Sequence, residues 1–202
     1  MTEPTAKLIS ITPNVEELLK AACSKPYGKN CSMRVIQEHI ISSGHLSVLE
    51  HCYASFKVEC SVRVLGQLTR HRHLSFTCQS ARGCEFDDFV IPEAIASANE
   101  YANNEMTLSV LSMYKASLED GDAQEDAAYF LPQGVKTHIV VTGNFRAWFE
   151  YLPKRLCRRA MPEHRKLAQA ILEELKKACP VIFDRNFMNC GVNCKEKGCE
   201  FK

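Results

Sequence analysis

The stretch ASFKVECSV, residues 54–62, alternates apolar and polar side chains along its whole length. Successive side chains of a strand point to opposite faces, so this alternation predicts a strand with one buried face. Val135, Thr137, Ile139 and Val141 repeat the pattern and predict a second strand. Helical periodicity fills the segments around both strands. The sequence therefore predicts a sheet flanked by helices.

The first predicted helix begins at Asn14, which precedes Glu17 by three residues and forms the pattern of a capping box with it. Apolar residues at positions 15, 18, 19 and 22 then share one helical face. A helix over 64–72 would place Gln67 and Arg70 on one side. Further helices are predicted at residues 33–43, ended by Gly44, at 92–118 after an initial turn, and at 122–130, 144–154 and 162–178.

Strands and helices follow one another without a regular strand-helix-strand repeat, which favours an α+β fold over a doubly wound sheet. At 202 residues the chain has the length of one domain. Its nine glycines form no Gly-x-Gly-x-x-Gly pattern, the fingerprint of a Rossmann dinucleotide site. A flavin or dinucleotide would therefore have to be held by side chains.

The charge balance gives no reason to expect a nucleic acid or a membrane as partner. Lys and Arg number 25 and Asp and Glu 24, so any preference for anions must be local. There is no apolar run long enough for a membrane span, and the N-terminus lacks the organisation of a signal peptide. We expect a cytoplasmic protein.

Eleven cysteines raise the question of disulfides or metal. Most are scattered singly among apolar residues, as at Cys23, Cys52 and Cys60, which predicts free thiols in a reducing compartment.

The last 19 residues, 184–202, form a tail in which Cys190, Cys194 and Cys199 lie close together. A disulfide or a structural zinc ion are both compatible with it. Zinc prefers four ligands in paired spacings, and only the distant Cys179 could be a fourth. We predict no metal site.

Arg70-His71-Arg72, followed after seven residues by Ser80, gathers donors suited to phosphate. An Arg guanidinium can bind two oxygens of a phosphate or a pyrimidine carbonyl, and a Ser hydroxyl with nearby backbone N–H groups can cap a phosphate. The alternative for a basic tripeptide is a solvated basic face.

This order, Arg-His-Arg, seven residues, Ser, resembles the signature of the flavin-dependent thymidylate synthases, which methylate dUMP using FAD and methylenetetrahydrofolate. HLSVLEH at residues 45–51 is similar to the family's His-x-Ser/Thr-x-x-Glu-His segment. Leu131-Pro132 leads into a strand, and Asn144-Phe145-Arg146 opens a helix that runs to Arg155, as in the family. The resemblance is collinear from about Lys7 to Phe183. It implies one α+β catalytic domain over 1–183, with a central mostly antiparallel sheet, before the tail.

The resemblance also implies roles for single residues. Arg155 would polarise the pyrimidine, and His45 would lie near the folate or flavin ring. The residues expected to contact the flavin are Ser47, Glu50, Arg70, His71, Arg72, Asn144, Arg146 and Arg159. Those expected to bind dUMP are Gln67, Arg70, Ser80, Arg82 and Arg155. Without the resemblance, His45 and His51 could be capping or core histidines, and Arg146 and Arg155 the solvated side of a helix.

In the implied chemistry, a hydride or nucleophile added at C6 of the uracil ring makes C5 electron-rich by moving charge onto O4, which fixed cations stabilise. Cys78 has the chemistry of a C6 nucleophile, but the resemblance implies that reduced flavin supplies the hydride and no protein nucleophile is needed. Ser80 would then bind phosphate. NADPH as the reductant and a homotetramer with FAD between subunits are implied in the same way.

Several residues depart from the family pattern. Thr77, Cys78 and Gly83 replace Asn, Glu and Tyr, Met161-Pro162 replaces Gln-Trp, and Glu150 and Arg159 replace an amide and a His. Ala128 stands where relatives carry an Arg that reaches the dUMP phosphate. Losing such an Arg would cost on the order of 2–3 kcal/mol of binding. Lys136 or Arg158 could supply the cation instead.

Three hypotheses result. We favour a thymidylate synthase acting on dUMP. The first alternative is a relative that uses the same flavin and folate chemistry on another pyrimidine nucleotide, such as UMP, or transfers a different one-carbon unit. The second is a non-enzymatic nucleotide- or RNA-binding protein, for which only Phe76 offers an aromatic ring among the basic residues.

Overall fold

The computed structural model describes residues 3–96, 100–191 and 194–201. A four-stranded antiparallel sheet forms its centre. The strands are β1 at Thr5–Ile11, β2 at Tyr53–Ser61, β3 at Leu74–Cys78 and β4 at Lys136–Asn144. They lie in the order β1-β2-β4-β3. The predicted α+β fold with a central antiparallel sheet is confirmed.

The two strands predicted from alternation, β2 and β4, are neighbours in the middle of the sheet. Phe56 pairs with Val141 and Val58 with Ile139, and all four side chains are buried. The predicted first strand ends one residue early, because Ser61 caps the next helix: its hydroxyl accepts a hydrogen bond from the Val64 N–H at 3.1 Å. The edge strands β1 and β3 were not predicted.

The helices lie before, between and after the strands. In chain order they are α1 at Val15–Tyr27, α2 at Met33–Val35 continuing as a π-helix at Ile36–Ile41, a 3₁₀ helix at Leu46–His51, α3 at Val62–Leu68, α4 at Glu93–Ala96, α5 at Glu100–Glu119, α6 at Gln124–Ala127 with a 3₁₀ turn at Ala128–Phe130, α7 at Phe145–Arg155, α8 at Pro162–Ala178 and α9 at Pro180–Phe183.

Three local predictions need correction. Asn14 precedes α1 in the left-handed region at φ 50°, and its side chain makes no capping bond, so there is no capping box. The helix predicted over 64–72 ends at Leu68, where Thr69 forms the C-cap, and Arg70 therefore lies in a turn. The helix predicted over 122–130 is a short α-helix followed by a 3₁₀ turn.

The junction between β4 and α7 shows how tightly the core is packed. A Cβ on Gly143 would lie 2.3 Å from Cδ2 of Leu74, so only glycine fits this position without a shift. The adjacent Trp148 is completely buried and donates its indole N–H to the carbonyl oxygens of Ala54, at 3.2 Å, and Gly143, at 3.0 Å. This contact fixes α7 against the sheet and so sets where the side chains of α7 lie.

The segment after α9 is in contact with the main core. Phe187 is buried, with its ring 4.9 Å from that of Phe149. Cys199 is also buried. All eleven cysteines carry free thiols. Within the described residues, no three His, Cys, Asp or Glu side chains come together in a group that could hold a metal ion.

Candidate functional site

Arg155, the last residue of α7, is the centre of a hydrogen-bonded group of side chains. Its Nε donates to Nε2 of His71 at 2.8 Å. Its Nη1 donates to Oε1 of Gln67 at 3.3 Å and its Nη2 to the Gln67 carbonyl oxygen at 3.1 Å. A guanidinium has five N–H donors, so three are used and two remain. Arg155 is therefore held from two sides, with two donors left for a ligand.

His71 is kept neutral by its surroundings. Burial, followed by the nearby charges of Arg155 and Lys154, lowers its pKa to about 4. Its ring packs edge-on against that of Tyr151, with centroids 4.8 Å apart. Because Arg155 can only donate, Nε2 of His71 must be the unprotonated nitrogen, and the proton lies on Nδ1. His71 can thus act as a neutral donor from Nδ1.

Tyr151 and His164 complete what we call the Arg155 cluster, defined as Gln67, His71, Tyr151, Arg155 and His164. Both added residues are completely buried. Burial, followed by the charge of Arg155, lowers the pKa of His164 to about 3, and burial raises the pKa of the Tyr151 phenol. Both side chains are therefore neutral at neutral pH, and Arg155 carries the only charge of the cluster.

Arg70 and Arg72 lie on either side of His71 but face solvent. Neither side chain forms an ion pair among the residues that the structure describes. The turn that carries them is closed by a hydrogen bond from the His71 N–H to the Leu68 carbonyl oxygen at 3.0 Å. The Arg-His-Arg motif thus directs its histidine inward, toward Arg155, and its two arginines outward, where they can attract an anion.

Ser80 and Arg82 follow β3 in a tight turn. The Ser80 hydroxyl accepts a hydrogen bond from the Arg82 N–H at 3.2 Å, and the Ser80 carbonyl oxygen accepts from Gly83 and Cys84. The exposed Arg82 side chain is paired with Glu125 at the start of α6. An incoming phosphate would have to compete with this carboxylate for Arg82.

A second polar group lies at the other end of α7. Arg146 donates from Nη1 to Glu50 and from Nε to Oε1 of Glu150 at 3.1 Å. Asn144 is the N-cap of α7, and its Oδ1 accepts from the Ala147 N–H at 2.8 Å. His45 and Ser47 are exposed nearby, at the start of the 3₁₀ helix that carries Glu50. At 1.5 Å per residue, Arg146 and Arg155 lie about 13 Å apart along α7.

Of the predicted site residues, the structure brings Gln67, His71 and Arg155 into direct contact, and likewise Glu50 with Arg146. Arg159 stands apart, paired with Glu196 of the tail at 3.3 Å.

The sequence reasoning missed His164, Tyr151 and the carboxylates of Glu125 and Glu196. For His164 a signal existed. It precedes Leu167, Ala168 and Ile171 at helical spacings of three, four and seven, so it lies on the buried face of α8.

Lys136 and Arg158, the two cations that could replace the missing phosphate-binding Arg, differ in how accessible they are to a ligand. Lys136 donates to Asp88 at 2.8 Å and forms an ion pair with Glu59 at 3.2 Å, and its side chain is only 12% exposed. It is therefore already neutralised. Arg158 is exposed, with its guanidinium 6.0 Å from the centre of the Phe201 ring. Of the two, only Arg158 is accessible to a ligand.

Comparison with known proteins identifies the family of this chain. The thymidylate synthase complementing protein family (Thy1) matches residues 7–181. The flavin-dependent thymidylate synthase of Pyrococcus furiosus is 42% identical over 168 residues, covering 79% of this chain and 69% of that protein. The enzyme of that name from Pyrococcus horikoshii is 38% identical, covering 95% and 87%.

The same fold occurs in a solved structure. The crystal structure of thymidylate synthase X from Helicobacter pylori with FAD and dUMP has a TM-score of 0.73 and 23% identity, covering 90% of this chain and 97% of that one. The chain belongs to the flavin-dependent thymidylate synthase family and is an enzyme of that class. In the described part of the chain, no helix has both the length and the apolar character needed to cross a membrane.

Proposed function

We propose that this enzyme converts dUMP to dTMP, with FAD as cofactor, methylenetetrahydrofolate as carbon donor and NADPH as the reductant of the flavin. The observation that carries the proposal is Arg155, a half-buried cation fixed by Gln67 and His71 with two free donors. The relatives named above, which are flavin-dependent thymidylate synthases, support it.

Arg155 has the chemistry that C5 methylation of a uracil ring requires. As charge develops on the pyrimidine oxygen, a fixed guanidinium stabilises it more strongly than mobile water would. His71 is neutral, so it places no second positive charge beside Arg155. Gln67 holds Arg155 because two of its oxygens accept hydrogen bonds from the guanidinium. When bound, the flavin would supply the hydride, so no side chain of the protein has to act as nucleophile.

The exposed arginines fit the pyrophosphate of FAD. Arg70 and Arg72 have no carboxylate partner among the described residues, and two adjacent cations suit an anion with two charges. His45, Ser47, Glu50, Asn144, Arg146 and Arg159 are the further residues that we assign to flavin or folate. Asn144 keeps its side-chain NH₂ for this role, because only its Oδ1 is used by the helix cap.

We further propose a homotetramer in which two subunits contribute to each active site. Arg146 and Arg155 lie at opposite ends of α7, so one chain presents two separate polar groups. Exposed apolar side chains supply surface for assembly: Tyr129 is 90% exposed, and Tyr53 and Val140 are exposed on neighbouring strands. We place the enzyme in the cytoplasm, where its free thiols stay reduced, without a nucleic acid partner.

The test is a titration of the purified protein with dUMP while the visible spectrum of its flavin is recorded. A nucleotide that stacks on the isoalloxazine ring should perturb the spectrum, and we expect saturation. A flavin spectrum that responds to UMP and not to dUMP would favour the other pyrimidine nucleotide. Absence of flavin together with RNA binding that weakens steeply with salt would favour the binding-protein hypothesis.

Ala128→Arg is expected to tighten dUMP binding by roughly 30- to 150-fold. Ala128 lies in the 3₁₀ turn after α6, next to the segment whose Glu125 occupies Arg82. A new guanidinium there would restore the missing phosphate contact, worth about 2–3 kcal/mol. The dissociation constant from the same titration is the measurement, and Ala128→Gln is the control without charge. Weaker or unchanged binding would favour a different nucleotide as the substrate.

A further inference from the structure

His164 lies in the first turn of α8 and is completely buried. Its Nδ1 is 3.4 Å from Oε1 of Gln67, and its ring lies 5.8 Å from that of Tyr151 and 6.4 Å from that of His71. It does not contact Arg155 through any hydrogen bond among the described residues. Within the described chain, the one hydrogen bond of the His164 side chain is with the Gln67 amide that also contacts Arg155.

The position of the His164 proton follows from the chemistry of its neighbours. Arg155 has only donors, so the Gln67 side-chain atom that faces it must be the carbonyl oxygen. The same oxygen faces Nδ1 of His164, which therefore has to donate. A neutral imidazole with the proton on Nδ1 has a bare Nε2, and this Nε2 is buried without a hydrogen-bond partner in the described chain.

Gln67 has few other contacts that fix its amide. Its NH₂ group donates to the thioether sulfur of Met161 at 3.3 Å, and a thioether is a weak acceptor. The carbonyl oxygen is therefore the end of the amide that faces N–H donors, from Arg155 at 3.3 Å and from His164 at 3.4 Å. Without the His164 donor, the amide can rotate away from Arg155 at little cost, and Arg155 would lose one of its three restraints.

We propose that His164 is a positioning residue, which acts through Gln67 to hold Arg155 in the orientation needed for the pyrimidine. This inference rests on the proposed function of Arg155. Oε1 of Gln67, in α3, thus connects His164 of α8 to Arg155 of α7. Because His164 is buried and neutral, it adds a donor to the site without adding a second charge beside Arg155.

Two variants separate positioning from simple packing, because the larger one keeps the volume of histidine and the smaller one keeps its donor. His164→Leu fills the space without a donor. His164→Asn keeps an N–H donor, because its amide nitrogen is bonded to Cγ as Nδ1 is in histidine. We expect His164→Leu to lower kcat about tenfold with KM for dUMP changed by less than about threefold, since the loss falls on the transition state. We expect His164→Asn to recover most of this loss.

A ligand-free measurement keeps this inference separate from the proposed function. In ¹⁵N-labelled protein, the Nη–H protons of Arg155, one of which donates to Oε1 of Gln67, should exchange slowly with solvent in the wild type and in His164→Asn, and several-fold faster in His164→Leu. If the wild type does not methylate dUMP, the proposed function fails, and this exchange rate still decides the positioning. Equal exchange rates in all three proteins would overturn the role of His164. The same holds if kcat falls in both variants in proportion to their loss of stability.

Discussion

Arg155→Ala is expected to lower kcat for dUMP methylation by on the order of 10²- to 10³-fold, with the subunit assembly unchanged. The wild-type guanidinium is already oriented by His71 and Gln67, so it stabilises developing charge without a reorganisation cost. Alanine removes this cation and leaves only water in its place. The measurement is steady-state turnover, with analytical ultracentrifugation to verify assembly.

Arg155→Lys and Lys154→Ala are the matched variants. The lysine retains a charge, but its three N–H donors lie on one nitrogen, whereas Arg155 uses three nitrogens for His71 and Gln67 and keeps two donors free. We therefore expect it to recover only part of the loss. Lys154 is the exposed neighbour of Arg155 in α7, so its removal tests the effect of one positive charge at the same helix end. Normal turnover in Arg155→Ala would remove Arg155 from the mechanism.

The central strands could be predicted because burial of one face leaves a period of two in the sequence. In β2 the alternate residues Ala54, Phe56, Val58 and Cys60 are all completely buried. The edge strand β3 gave no such signal, because Leu74 is the only buried residue among its five. An edge strand has one neighbour and one partly solvated face, so its composition is less constrained.

The sequence indicates which residues belong to the candidate site, but it does not indicate which of them contact one another. The family resemblance implies that Gln67, His71 and Arg155 are site residues, yet the contacts of Arg155 with His71 and Gln67 span 84 and 88 positions of the chain. Such pairs depend on where α3 ends and how α7 packs on the sheet, and neither is encoded in local periodicity. The same reason hid the ion pair between Arg82 and Glu125, in which a predicted phosphate ligand already has a carboxylate partner.

Glu163→Ala is expected to destabilise the fold by about 3 kcal/mol. Glu163 is buried at the start of α8, where its Oε1 accepts from the Ser61 N–H at 2.8 Å and its Oε2 from the Ser61 hydroxyl at 2.7 Å. The same hydroxyl caps α3. Alanine would leave a buried backbone N–H without a partner and would loosen the cap, so the cost exceeds that of one ordinary hydrogen bond.

Urea denaturation at equal protein concentration and equal flavin content is the measurement, and the midpoint should fall without a change in slope. For a chain of this length, 3 kcal/mol corresponds to a fall in Tm of roughly 6–12 °C. Glu163→Gln keeps one acceptor for the Ser61 N–H and should cost about 1 kcal/mol. Glu173→Ala, on the exposed face of α8, should cost almost nothing.

Because Ser61 caps the helix that carries Gln67, Glu163→Ala should also weaken the restraint on Arg155. Wild-type stability in Glu163→Ala would mean that the contact between β2 and α8 does not depend on this carboxylate.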